Sequence, residues 1–248
     1  MGASAMSSET LRRTIFCLDG LRYSFAMTEV SASRLTGTLD AVARQQEQSV
    51  HSEQAVASAL LDAWTIVDMC HRVRELIQQL PGLSQRSPRV QVFLRATSPV
   101  EQLRHYVQHL RGEIAKAPSL ASPLWGTLSW VPSHDQITCY TMFTGNIIPG
   151  VASQTCTYDT YQHCFAHRLV LIAEDITIEL PSVVERLTEL RTFVLDWIDK
   201  HPRFKRAEGK TLIWKFQVKK AEPDGAANGS QPIRSATNRT SSAAGSRR

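Results

Sequence analysis

The sequence predicts an α+β protein, an antiparallel helical bundle with a β-rich insertion and short flanking strands. Three observations predict it. Apolar residues recur at three- and four-residue steps through residues 28 to 117. Between about 119 and 180 the composition shifts to β-branched and aromatic residues separated by turn formers. Helical spacing then returns after Pro181. The expected organisation is a flexible start at 1–13, one domain at 14–220 carrying the insertion at about 119–180, and a disordered basic tail at 221–248.

Taken in order, residues 14 to 26 read as two short strands around Asp19-Gly20, a common hairpin dipeptide. A first helix is expected from about Thr28 to Gln48, with Val30, Leu35, Leu39 and Val42 on its apolar side. A second runs from about Ser52 to Leu80, burying Val56, Leu60, Ala63, Trp64, Val67, Val73 and Ile77, and Pro81-Gly82 stops it. The few residues between them favour antiparallel packing. Residues 82 to 97 read as a basic connector.

The clearest helix start follows. Ser98 is placed to cap, Pro99 suits the first helical position, and Glu101 closes a Ser-x-x-Glu box. Val100, Leu103, Val107, Leu110 and Ile114 then form one apolar stripe, with the helix ending near Ala117 before Pro118. In the insertion, strands are expected at Trp125–Val131, Ile137–Phe143, Arg168–Ala173 and Ile176–Ile178. A fourth helix from Pro181 and Ser182 buries Val184, Leu187, Leu190, Val194, Trp197 and Ile198. Leu212, Trp214, Phe216 and Val218 alternate as a last strand.

With 42% hydrophobic and 21% charged residues in 248, the chain has an ordinary globular composition. No apolar run approaches the roughly 18 residues of a membrane span, and the first dozen residues lack the apolar core of a secretory signal. Five irregularly spaced cysteines argue against a disulfide framework and for a reducing cytoplasm. The formal charge is +5; residues 221 to 248 carry four Arg against Glu222 and Asp224, a net of +2, which leaves +3 elsewhere. That excess is compatible with a nucleic-acid partner without requiring one. Glycine-rich phosphate loops, dinucleotide fingerprints and Gly-x-Ser-x-Gly elbows are absent.

At about 100° per residue, Glu101, Arg104, His105, Gln108, His109 and Gly112 fall opposite the apolar stripe of the capped helix. Arg104-His105-Tyr106-Val107-Gln108-His109 resembles the motif of the HEPN superfamily, an Arg usually followed by Asn, Asp or His and then, after four to six intervening residues, a His. Arg44 and His51 also have a permitted spacing, but lie where the first helix ends and lack the favoured second residue. The resemblance covers about residues 28 to 117 and the helix from 182, without the β insertion. It implies a HEPN-like helical bundle. It also implies a metal-independent endoribonuclease needing no cofactor, a homodimer lining one cleft with two motifs, RNA as substrate, and a toxin or defence role with an antitoxin or defence partner.

The chemistry suits those residues. RNA is cut when a base removes the 2′-OH proton and that oxygen attacks the adjacent phosphate. An imidazole can carry that proton, and a guanidinium can hold the phosphate by two parallel hydrogen bonds. The expected roles are proton transfer for His109 and phosphate binding for Arg104. His105 would be a second proton carrier or an RNA ligand, with Gln108 beside it, and Gly112 would permit close helix approach in the dimer. The alternative is a non-catalytic scaffold that binds nucleotide, RNA or protein.

Asp62, Asp68, His71, Arg72 and Glu75 read as helix-surface pairs. Cys156, His163, Cys164 and His167 lack a zinc spacing and read as partly buried strand-end residues, so no metal site is expected. Trp125, Trp130, Tyr140, Phe143, Tyr158 and Tyr161 read as core aromatics of the insertion.

Overall fold

A computed structural model describes residues 7–45, 53–115, 123–135, 137–144, 156–201, 204, 213 and 215. Apart from Ile213 and Lys215, the expected strand at 212–218 and the basic tail lie outside the described residues. The chain divides into two units, Met1–Lys210 and Thr211–Arg248, and every described helix and strand belongs to the first. That unit is α+β, mostly helical with a small antiparallel sheet.

Helix α1 spans Ser8–Arg44, so both the expected hairpin and residues 8 to 13 of the expected flexible start are helical. Ser7 begins it, its Oγ accepting from the Thr10 amide at 3.2 Å. The buried face recurs at Thr14, Cys17, Leu21, Thr28, Leu35, Leu39 and Val42. Small polar residues on that seam hid the helical period. Inside, their hydroxyls are satisfied within the helix: Thr14 Oγ1 donates to the Thr10 carbonyl and Thr28 Oγ1 to the Ser24 carbonyl, each at 2.8 Å. Gly20 is not a turn residue. A Cβ there would meet Leu76 at 2.8 Å, so the glycine admits the second helix.

That helix, α2, spans Glu53–Gln79 and runs antiparallel to α1: Arg13 bonds Gln79 near one end and Arg34 lies 3.3 Å from Asp62 towards the other. The expected connector contains a helix of its own, α3 (Pro88–Ala96), burying Val90 and Phe93. Two buried apolar positions in nine residues are too few to establish a period in sequence. Helix α4 (Ser98–Gln108) and the short α5 (Leu110–Ala115) replace the single helix expected to reach Ala117.

The insertion then supplies strands β1 (Thr127–Trp130), β2 (Tyr140–Phe143), β3 (Tyr158–Asp159), β4 (Cys164–Phe165), β5 (Leu169–Ala173) and β6 (Ile176–Glu179). β3 and β4 pair with each other; the other four form an antiparallel sheet in the order β2-β1-β5-β6. Leu128, Trp130, Met142, Leu171, Ala173 and Ile178 join the helical core, while Val131, Val170 and Ile172 form a second cluster with Cys156. Alternate residues of one strand therefore serve two cores. Helix α6 (Leu180–Lys200) closes the first core with Val183, Leu187, Leu190, Val194, Trp197 and Ile198. No described helix is long and apolar enough to cross a membrane.

The aromatic residues of the insertion divide. Trp130 stacks on Tyr140 with centroids 5.4 Å apart against the core, whereas Trp125, Phe143, Tyr158 and Tyr161 are exposed, contrary to the core packing expected of them. Alternation along short, partly covered strands sends some of these rings outward.

Two contacts fix the sheet's position. Asp40 of α1 accepts from the Ser133 amide at 3.0 Å and from its hydroxyl. Burial pushes the Asp40 carboxyl up, but those bonds, with His134 and Arg44 nearby, outweigh it and hold it below the usual value. Gly126 has φ +77°, and a Cβ there would lie 2.3 Å from the Ile172 carbonyl oxygen.

Gly126→Ala is expected to lower stability by about 2–3 kcal/mol in urea unfolding, because backbone must move. Asp40→Ala is expected to cost about 2 kcal/mol at neutral pH. Since the folded carboxyl titrates below the unfolded one, the stabilisation is complete above the ordinary Asp range and is lost as pH falls through the folded value. The gap between wild type and Asp40→Ala, followed by urea titration from pH 7 to pH 3, should therefore narrow on acidification.

Candidate functional site

The site is built where α2 meets α4, and a buried arginine sets that meeting. Arg74, 5% exposed, donates from Nη1 to the Leu94 carbonyl at 2.5 Å and to Thr97 Oγ1 at 2.7 Å. Its Nη2 pairs with Glu101 Oε2 at 2.9 Å. Thr97, whose own hydroxyl donates to the Phe93 carbonyl at 2.8 Å, ends α3 and begins α4 in one residue. The predicted box therefore does not form. Thr97, not Ser98, holds the cap position, with no side-chain cap bond, and Glu101 turns to Arg74. A buried guanidinium needs a counter-charge more than a helix end needs a second cap.

From that start Val100, Leu103 and Tyr106 are buried. Tyr106 was not among the expected stripe; its hydroxyl donates to the Leu124 carbonyl at 2.9 Å. Val107 and Leu110 pack against the core, but Ile114 is exposed, since the helix breaks before it. His109 is the residue at which α4 stops, its amide donating to the His105 carbonyl at 3.0 Å. Gly112 follows in open space, with nothing within 4 Å of where a Cβ would stand.

Arg104 is half-buried and faces α2, its Nε 3.1 Å from Asp68 Oδ1. The other carboxylate oxygen accepts from Arg72 Nε at 2.8 Å. Asp68 thus joins two guanidiniums, and its pairing with Arg72 is the expected surface pair; His71 pairs with Glu75 at 3.5 Å instead. His105, Gln108 and His109 are exposed. The two imidazoles face each other, centroids 4.2 Å apart at 49°. The contacts therefore join Arg104 to Asp68 and His105 to His109. Among the described residues no contact joins Arg104 directly to His109. On the His105 side, an open groove is lined by Glu101, Gln102, Tyr106, Glu174, Asp175 and Ile176.

Asp68 is the residue that sequence reasoning left out of this group. Its i, i+4 partner Arg72 explained it locally, and nothing in the spacing shows that its second oxygen meets another helix. The decoy pair is split by the limits of the structure: Arg44 ends α1, and His51 lies outside the described residues. Among the described residues no group of three or more His, Cys, Asp or Glu side chains is placed to hold a metal ion. Of the expected strand-end cluster, Cys156 is buried, while Cys164, His163 and His167 are exposed.

No protein-family model matches the chain, and comparison with curated proteins and with solved structures finds none similar to it.

Replacing Arg74 by Ala takes this donor from the Leu94 carbonyl and the countercharge from Glu101. The expected loss is about 3 kcal/mol by urea unfolding, with Arg74→Lys intermediate because a single ammonium cannot span three acceptors.

Proposed function

We propose that the protein is a metal-independent endoribonuclease of HEPN type, built on a HEPN-like bundle and working in the cytoplasm. The observation that supports it best is the group at the end of α4: a guanidinium beside a carboxylate, and two exposed imidazoles in contact, His105 next to Arg104 and His109 one turn beyond His105. Asp68 Oδ1 stands 3.1 Å from Arg104 Nε, and the two Nη atoms form the far edge of the guanidinium. That edge is the one a phosphate takes in bidentate pairing. Arg104 grips the scissile phosphate and offsets the charge that builds on it as the 2′-oxygen attacks. His109 removes the 2′-OH proton, and His105 carries the second proton, to the departing 5′-oxygen. Gln108 lies on the same exposed face, beside the bound strand.

Open space around Gly112 suits a homodimer that brings two such helix ends to one cleft. None of the five cysteines is in a disulfide, which agrees with a reducing compartment. An RNA-cutting enzyme of this kind acts as a toxin or defence effector and is held in check by an antitoxin or defence partner.

One observation favours the second reading, a non-catalytic scaffold. The Arg104–Asp68 pair is also what two packed helices need for cohesion alone, and the groove beside His105 carries Glu101, Glu174 and Asp175, which repel a phosphate backbone. Cleavage of a single-stranded RNA by wild type, His109→Ala, His105→Ala and Arg104→Ala separates the two. The nuclease reading expects at least about a 100-fold loss in His109→Ala and Arg104→Ala. Equal activity in all four proteins removes it, and salt-sensitive RNA binding without cleavage favours the scaffold.

A further inference from the structure

The sheet has a second face, away from the helices, and it is also covered. Val131, Val170 and Ile172 are at most 7% exposed, and Ser129 and Thr127 are buried on the same alternation. Ser129 and Thr141 share a hydroxyl contact of 2.9 Å across β1 and β2. Two residues later on β1 and two earlier before β2, that same face brings up Val131 and Cys139. Cys156, 4% exposed, sits in the Val131–Val170–Ile172 cluster, and Cys139 packs against it. The two side chains share that cluster, and Cys139 is close enough to act electrostatically on the Cys156 thiol. Cys156 leads directly into the β3–β4 hairpin, which is secured to the same cluster through Phe165 and to itself by the Ala166 amide bonding the Thr157 carbonyl at 2.8 Å. Two cysteines from separate segments therefore meet in one cluster where the hairpin joins the sheet, and no disulfide joins them.

We propose that Cys139 and Cys156 form a reversible disulfide that ties the base of the β3–β4 hairpin to the edge strand β2, with a low-molecular-weight disulfide such as oxidised glutathione accepting the electrons. Cys139, the more exposed of the two, enters first. Its thiolate attacks one sulfur of the small disulfide, forming a mixed disulfide and releasing one small thiolate. Cys156 then gives up its proton and attacks Cys139 Sγ; the mixed bond breaks and the second small thiolate leaves. Two electrons pass from the protein sulfurs to the acceptor, and the two protein protons end on the two small thiols released. Burial, then the adjacent Cys139, pushes the Cys156 thiol up to about 12, so it is the later of the two to react. The pair is thus a resting dithiol that closes only under oxidation, which fits a sensor more than a permanent staple. It is independent of the nuclease reading.

The test is peptide mapping without reductant after treating the folded full chain with oxidised glutathione, using wild type, Cys139→Ser and Cys164→Ser. The expected result is one linked peptide pair containing Cys139 and Cys156 in wild type and Cys164→Ser, reversed by dithiothreitol and missing in Cys139→Ser. Oxidised wild type should also show a higher urea midpoint than the reduced protein, a difference that Cys139→Ser abolishes. A stable glutathione adduct left on Cys139, a Cys156–Cys164 link, or no link in protein that circular dichroism shows to be folded would each overturn the proposal.

Discussion

The buried guanidinium of Arg74 is the constraint on which the helical half depends. It reaches out of α2 and holds three groups at once: the carbonyl end of α3 at Leu94, the junction residue Thr97, and the first-turn carboxylate of α4 at Glu101. Each partner answers an electrostatic need. The C-terminal carbonyls of α3 carry partial negative charge, and Glu101 is the full countercharge without which burial would be prohibitive. The direction of α4 follows from that junction. So does the face it presents to α2, because Glu101 and Arg104 are three residues apart on one side of the helix. Asp68, six residues before Arg74 on α2, meets Arg104 in consequence.

The chemistry-bearing residues then lie at the margin of this packing, with a different degree of freedom for each. Arg104 is drawn inwards to Asp68, and its side chain is 27% exposed. His105 and His109 are left outside, paired with each other at the end of α4. An arginine held from one side by a carboxylate is oriented at low entropy cost, which is what phosphate recognition requires and also what a helix–helix contact requires. The acidic groove on the His105 side adds a field of the opposite sign beside it. Function at this site turns on which of those two demands the guanidinium serves.

The sheet answers a different problem. It must close the end of the bundle with one face and still cover the other, and strands of four or five residues do both by alternation alone: Leu128, Trp130 and Leu171 inward, Val131, Val170 and Ile172 outward. The register is anchored by Asp40, which reaches from α1 to the loop after β1, and by Gly126, which lets β1 start against the Ile172 carbonyl. The β3–β4 hairpin covers the outer face, with Cys156 and Phe165 as its contacts.

The amino-acid sequence by itself determined the α+β class, the long second helix, the strands Thr127–Trp130 and Leu169–Ala173, and the final helix, because each carries its own apolar period or composition. Only the tertiary structure decided residues 8 to 27, where Asp19-Gly20 reads locally as a turn. Gly20 became helical because Leu76 fills the space beside it and because buried Thr and Ser residues bond to their own helix. The same holds at the candidate site. Arg104, His105, Gln108 and His109 were legible as one polar helix face, but Asp68 was not, nor was the break at His109 that parts α4 from α5. A side chain's partners within one helix follow from spacing; its partner on another helix follows from how the helices are joined, and here a single buried arginine joins them.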